Sequence, residues 1–273
     1  MNNSTIGASV SMSSLQQRLD IIADNIANVN TNGYKRKEGS FEDVLTRVQQ
    51  QSEDYDQPGR STPLGFNIGF GVRVASITNS WEEGALKETG NPTDLALQGN
   101  GLFGVQVNGA TAYTRQGAFH FTPDPANAAN MVLVDNTGNK VLNSNGNPLT
   151  VPVGVNAAID EWGRVLTKRN ESDPVQVAGR IMIVEPLSKD TLQAMDGNFY
   201  ALSEGVTAQQ AFVQRGAGDV PAVGVRSGWL EQSNVDLSKE MTELMQLQRT
   251  YQLAARALTS SDQMQGLANT MRG

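Results

Sequence analysis

Two one-striped helical patterns at opposite ends of the chain narrow the possible folds more than any other feature. Ala8, Met12, Leu15, Leu19, Ile22, Ile26 and Val29 follow one another at alternating spacings of four and three, which is a heptad seam. Gln16, Gln17, Arg18, Asp20 and Asp24 lie between them, so the helix has one apolar stripe and is otherwise polar. Asn32 and Gly33 are stop signals, because glycine accepts the left-handed backbone that closes a helix. Near the other end, Asn234 or Asp236 can serve as N-cap to a second helix. Its apolar positions are Leu237, Met241, Leu244, Leu247, Tyr251, Ala254 and Leu258. Ser260, Ser261 and Asp262 interrupt that stripe, and Met264, Leu267 and Met271 resume it on a shifted face. This change predicts a kink or a loosened turn, since serine and aspartate hydroxyl and carboxyl groups compete for helical backbone bonds.

Between these ends the chain reads differently. Gly, Asn, Thr, Val and Pro dominate, and short alternating runs such as Phe103, Val105, Val107 and Phe119, Phe121 are strand signals. Asn108-Gly109, Thr137-Gly138-Asn139, Asn145-Gly146-Asn147-Pro148 and Asp196-Gly197-Asn198 punctuate them with turns. The fold class expected is α+β: long N- and C-terminal helices forming a coiled-coil layer, around a central all-β domain. The expected divisions are an N-terminal helix over 1–36, a linker and extended loop over 37–77, the β domain over 78–227 and the C-terminal helix over 228–273. Gln49 to Gly71 is rich in Gln, Ser, Pro and Gly without a period, and reads as linker. No internal repeat is visible.

Composition removes several functions. The 273 residues contain no Cys and one His, which leaves no thiol nucleophile, no disulfide framework and no multi-histidine metal cluster. A net charge of -7 argues against duplex binding, which needs a basic face. No stretch approaches the roughly 18 apolar residues that span a bilayer. The N-terminus lacks a basic region before its weakly apolar residues, so no cleavable secretory signal is expected.

The remaining motifs read as structural. His120 sits in an alternating run with no partner motif, as a strand histidine does. Gly99-Asn100-Gly101 and Gly65 to Gly71 match no dinucleotide or phosphate-loop spacing. Asp135 to Asn139 faintly suggests a calcium loop but lacks the distal bidentate glutamate. Asn3-Ser4-Thr5 and Asn170-Glu171-Ser172 fit a glycosylation pattern that carries no weight here. Lys35, Arg36 and Lys37 read as a solvated face, or as partners for acidic side chains of a neighbouring subunit. No acid/base pair or nucleophile constellation emerges, so neither an enzyme nor a cofactor is expected.

A lone stripe needs a partner. The two terminal helices can pair with each other, with copies of themselves, or both, and contacts between non-equivalent faces propagate into rings or open helical assemblies. The segment LQQRLDIIADNIANVNTNGYKRKEGSFEDVL, Leu15 to Leu45, strongly resembles the N-terminal signature of the bacterial flagellar rod and hook family. GWLEQSNVDLSKEMTELMQLQRTYQLAARALTSSDQM, Gly228 to Met264, resembles its closing signature. DLALQGNGLFGVQ at Asp94 and AYTRQGAF at Ala112 are similar to its β-domain motifs. Within the family the wording is most similar to distal rod proteins, with a proximal rod or hook-type subunit as the alternative. From a different class, a secreted β-domain adhesin also fits the pattern. Asp24-Asn25 stands where the family usually has paired Asn, and Thr122 to Lys140 resembles an enlarged family hairpin.

The resemblance implies a structural subunit of the basal-body rod that polymerises into a hollow drive shaft. It carries torque and passes exported subunits. Expected partners are further copies of the chain, other rod subunits, hook or hook-type proteins and the flagellar type III export apparatus, with envelope ring proteins as a further candidate. Neither nucleic acid nor membrane insertion is expected. The expected location is outside the cytoplasmic membrane, in the periplasm or cell wall. Leu15, Leu19, Ile22, Ile26, Val29, Leu237, Met241, Leu244, Leu247, Tyr251 and Leu258 are the expected subunit contacts. The positions that carry the motif are Asn25, Asn28, Thr31, Gly33, Tyr34, Lys35, Phe41, Asp94, Gly99, Gly101, Phe103, Tyr113, Thr114, Arg115, Gly117, Ser233, Asn234, Val235 and Arg249.

Overall fold

The computed structural model describes residues 3–43, 47–49, 66–68, 72–125, 127–169, 174–188, 191–213 and 223–272. The chain begins with α1 (Asn3–Ala27), β1 (Lys37–Asp43), β2 (Arg47–Gln49), β3 (Phe66–Ile68), β4 (Val72–Asn79), β5 (Leu86–Glu88) and β6 (Leu95–Gln98). It continues through β7 (Leu102–Val107), β8 (Ala110–Thr114), β9 (Phe119–Asp124), β10 (Asn127–Asp135), β11 (Lys140–Val141), β12 (Thr150–Pro152) and β13 (Asn156–Ile159). The rest is β14 (Arg164–Lys168), β15 (Gln176–Arg180), β16 (Ile183–Val184), β17 (Leu192–Met195), β18 (Phe199–Leu202), α2 (Ala208–Ala211), β19 (Gly224–Ser227), β20 (Trp229–Glu231) and α3 (Leu237–Arg272). The protein is α+β, with terminal helices and a central β-rich region.

Two compact units divide these elements. The first comprises 1–27, 36–80 and 235–273, and the second 28–35 and 81–234. In the first, α1 and α3 pack on each other. Arg18 bonds to Glu243 and Asn25 lies 3.4 Å from Glu240, so α3 partners fall in number as α1 rises and the pair is antiparallel. Asp236 caps α3: its carboxylate accepts the N–H groups of Ser238 at 2.9 Å and Lys239 at 3.3 Å. β1 and β4 form an antiparallel ribbon with Lys37 opposite Asn79 and a bulge between Ser40 and Phe41.

Three expectations change here. The seam was expected to run to Val29, but α1 ends at Ala27 and Val29 lies in the following turn. The Asn28 and Thr31 side chains bond each other at 3.1 Å, a local alternative to continuing the helix. α3 continues without interruption across Ser260 to Asp262, where a kink or loosened turn was expected. Just before it, Thr259 turns its hydroxyl back onto the carbonyls of Ala255 and Arg256. The range 37–77 contains the β1–β4 ribbon and the β2–β3 pair where linker was expected. Apart from Gln49 and Phe66–Ile68, the Gln49 to Gly71 stretch lies outside the described residues.

In the second unit a nine-stranded sheet runs β12-β10-β11-β7-β8-β18-β17, with β16 on β7 and β9 on β10, beside a three-stranded sheet β13-β14-β15. The β7–β8 hairpin closes on Asn108-Gly109, both at positive φ (50° and 83°), as its two-residue turn requires. Phe103, Val105, Phe119, Leu133, Val141, Val151, Val165 and Ile181 form the main core. Phe103 meets Phe119 edge-on at 5.1 Å. A second cluster gathers Leu102, Tyr113, Tyr200 and Phe212. The pairs β6–β19 and β5–β20 bring the chain back toward the start of α3.

Candidate functional site

The first candidate surface is the helix pair. Ile22 is 3% exposed and Leu247 6%, while Leu15, Leu19, Ile26, Leu244, Tyr251 and Leu258 are half-buried. The stripe read from the sequence is therefore buried at Ile22 and Leu247, half-covered over most of its length, and open at Leu237 and Met241. The other side of α3 carries a second apolar set. Met241, Met245, Leu253, Met264, Leu267 and Met271 fall on the opposite half-turn at about 100° per residue, and all are exposed, Leu253 at 64% and Met271 at 88%. Leu237 is exposed as well. Scattered exposed apolar side chains are normal, whereas a line of them along one helix face marks a contact surface.

Polar side chains fix the pairing at its closed end. The Asn25 amide donates to the Lys37 carbonyl at 3.0 Å and its oxygen accepts the Lys37 N–H at 2.9 Å, which ties α1 to β1. Lys37 reaches Asp24 at 2.5 Å, and Arg36 meets Glu38 and the buried Glu240. Phe41, half-buried, lies under Arg18 with the guanidinium carbon 5.2 Å from the ring centre. Arg36 and Lys37, read from the sequence as a solvated face or as partners for a neighbour's acids, have acidic partners in their own chain.

The second unit holds a fully buried ion network. Glu231 ends β20, and its carboxylate receives the Lys35 ammonium at 2.7 Å, the Arg115 Nε at 2.5 Å and the Gly84 N–H at 2.9 Å. All three charged side chains are 2% exposed. Arg115 spends its remaining donors on the carbonyls of Gly99, Gly101 and Leu97 at 2.5–2.8 Å, and Lys35 also reaches the Glu82 carbonyl at 2.6 Å. Burial lowers the Lys35 pKa despite the opposing pull of Glu231. Burial by itself would raise Glu231, but Arg115 and then Lys35 outweigh it and hold the carboxyl below the usual glutamate range. Burial raises Tyr113 and Tyr200.

Of the motif positions, Gly33, Lys35, Gly99, Gly101, Arg115 and Asn234 share this network, and most others have separate partners. Gly33, at φ +70°, donates its N–H to the Glu231 carbonyl at 2.8 Å, and a Cβ there would lie 2.7 Å from the Arg115 backbone. Tyr34 is buried beside it. Asn234 donates to the Glu82 carbonyl at 3.1 Å, Ser233 is half-buried and Val235 buried. The Asp94 carbonyl accepts from Gly228, the Gly117 carbonyl from Leu95, and the Thr114 hydroxyl donates to the Asn198 carbonyl. Tyr113 packs on Phe212 at 4.6 Å. Arg249 stands apart, exposed on α3.

Sequence reading missed Glu231, Glu240 and Glu243. Each is a lone acid in a signature segment, and only the partner at the far end of the chain reveals its role. His120 is an exposed strand residue opposite Val134. The Asp135 carboxylate is filled by Thr137 and Asn139, so it closes a turn. Among the described residues no group of three His, Cys, Asp or Glu converges to hold a metal ion, and no helix is long and apolar enough to cross a membrane.

Comparison with known proteins agrees with this distribution. Residues 8–35 match the family described as Flagella basal body rod protein, 96–167 the Flagellar hook protein FlgE/F/G D1 domain, and 226–271 the Flagellar basal body rod FlgEFG protein C-terminal. The chain is 33% identical to the Flagellar hook-basal body complex protein FlhP of Bacillus subtilis (strain 168) over 100% of both chains. It is 34% identical to the Flagellar basal-body rod protein FlgG of the same organism, over 96% of each. Its identity to the protein of that name from Agrobacterium fabrum is 31%, again over 96% of each. The chain belongs to the flagellar basal-body rod family, as a structural subunit most similar to the distal rod protein and not an enzyme.

Proposed function

We propose that this rod subunit builds a hollow shaft by using the two sides of α3 for different purposes. One side pairs with α1 inside the subunit, and the other meets neighbouring copies, so the helices form a coiled-coil layer. The observation that carries this reading is the exposed row Met241, Met245, Leu253, Met264, Leu267 and Met271 opposite the buried face of Leu247. Every subunit then offers the same apolar row to its neighbours, and stiffness arises from many modest contacts acting together.

Leu237 and Met241, both exposed, join this subunit contact, as do the still half-exposed edges of Leu15, Leu19, Ile26, Leu244, Tyr251 and Leu258. Ile22 and Leu247 serve the pair itself. The helical part comprises α1, α3 and the ribbon of β1 and β4, and the β-rich part takes in 28–35 and 81–234. The partners are further copies of the chain and other rod and hook subunits of the flagellar basal body. Delivery runs through the flagellar type III apparatus to a position outside the cytoplasmic membrane, and envelope ring proteins are further candidate partners.

Sedimentation of the full chain beside a chain lacking 237–272 tests the reading. Concentration-dependent assembly of the first and its absence from the second are expected. Equal assembly of both places the contact elsewhere.

A further inference from the structure

We propose that Glu231 is the pin of a clamp that locks every point where the chain enters or leaves the β-rich unit. The chain enters this unit at Asn28 and Trp81, and leaves it at Lys35 and Asn234. Four passages of this kind would be loose covalent tethers unless something on the unit fixed them. Each lies within a few residues of one carboxylate.

The first passage, at Asn28, is folded into a turn by the Thr31 N–H on the Asn28 carbonyl at 3.1 Å, and the Gly33 N–H then binds the Glu231 carbonyl at 2.8 Å. Lys35, the last residue before the second passage, sends its ammonium to the Glu231 carboxylate at 2.7 Å. Beyond the third passage, Gly84 donates to the same carboxylate oxygen at 2.9 Å, and the Glu82 carbonyl accepts from Lys35 at 2.6 Å. At the fourth, Asn234 donates to that same Glu82 carbonyl at 3.1 Å. Arg115 secures the whole to the sheet, since it holds Glu231 at 2.5 Å and the carbonyls of Leu97, Gly99 and Gly101 around β6 and β7.

The chemistry suits a lock. Two cations share one carboxylate out of water, where charge-assisted bonds are short and strong, and removing the carboxylate strands both cations in the interior. The three tied segments, 28–35, 81–84 and 231–234, therefore open together or not at all, as one cooperative piece separate from the sheet core. This inference stands on the β-rich unit alone and holds whatever the helices assemble with.

Residue-resolved amide hydrogen exchange of the full chain at neutral pH, with low denaturant, tests it first on the unaltered protein. The protected amides of the three segments are expected to share one opening free energy and one denaturant dependence, below those of β10 and β14. Three distinct values overturn the clamp. Glu231→Gln is then expected to speed exchange in all three segments by about tenfold or more, with β10 and β14 unchanged. Acceleration confined to 231–234, or spread in proportion over the whole sheet, overturns it as well. If Glu231→Gln does not fold, Lys35→Met removes one cation while leaving the Arg115–Glu231 pair, and the same joint but smaller acceleration is expected. An effect of Lys35→Met on 28–35 alone refutes the shared lock.

Discussion

Leu253→Ala separates assembly from subunit folding. Leu253 is 64% exposed on the face of α3 opposite the α1 contact. Burying a whole leucine side chain is worth about 1.5–3 kcal/mol. With roughly two thirds of that still in water, covering Leu253 by a neighbour contributes about 1–2 kcal/mol per subunit added. Losing it raises the concentration at which assembly begins by about 5- to 30-fold, at 1.4 kcal/mol per factor of ten. The side chain makes little use of its own subunit, so the thermal midpoint of dilute subunit should move by less than about 1 °C. Leu247→Ala is the matched control, since Leu247 is 6% exposed. Emptying its site costs about 2–5 kcal/mol and weakens the helix pair before any assembly. The assay is analytical sedimentation across a concentration series, with circular dichroism of the dilute subunit. An unchanged assembly threshold for Leu253→Ala, or equal loss of subunit helicity in both variants, refutes the two-sided use of α3.

Gly33→Ala forces a side chain onto a backbone at φ +70° with 2.7 Å to the Arg115 carbonyl carbon. A loss of at least about 1–2 kcal/mol follows from the left-handed strain alone, and a thermal midpoint within 1 °C of the parent would contradict it. Phe103→Ala removes a fully buried ring set edge-on to Phe119 and is expected to lower unfolding free energy by about 3–5 kcal/mol, measured by urea titration. For Glu231 the folded carboxyl is held below its ordinary value near 4.5. Its stabilisation is thus complete above that value and is lost as pH falls through the lower folded one. Acid unfolding followed by fluorescence should show a flatter limb below pH 4.5 in Glu231→Gln than in the parent, and superimposable limbs would remove Glu231 from the account.

The helices were legible because their physics is local. A stripe at alternating four and three spacing survives any tertiary context, and the sequence narrows the cap of α3 to Asn234 or Asp236, of which the structure uses Asp236. The β-rich region was legible for a similar reason: Asn108-Gly109 and Asp196-Gly197-Asn198 require positive φ, and turns of that kind leave little but short antiparallel strands between them. The ends and interruptions were harder. Val29 continues the spacing but falls outside α1, since Asn28 and Thr31 bond each other instead of extending it. Ser260 to Asp262 breaks the hydrophobic pattern without breaking the backbone ladder. The ion network was hidden entirely. Lys35, Arg115 and Glu231 lie 80 and 116 residues apart along the chain, and no periodicity marks a single acid at the end of a strand. The basic run at 35–37 was visible, but its partners are set by the path of the turn that precedes it.

The antiparallel pairing of α1 and α3 also has an electrical consequence. Each helix carries aligned peptide dipoles, with a partial positive charge of about one half at its first amides and an equal negative one at its last carbonyls. Pairing sets the carbonyl end of α1, near Asn25, beside the amide end of α3, near Glu240, so the two fields oppose each other over their shared length. α1 accordingly has neither an acid in its first turn nor a base in its last. The cancellation is confined to the length the helices share: α1 has 25 residues and α3 has 36, so the C-terminal stretch of α3 keeps its own dipole.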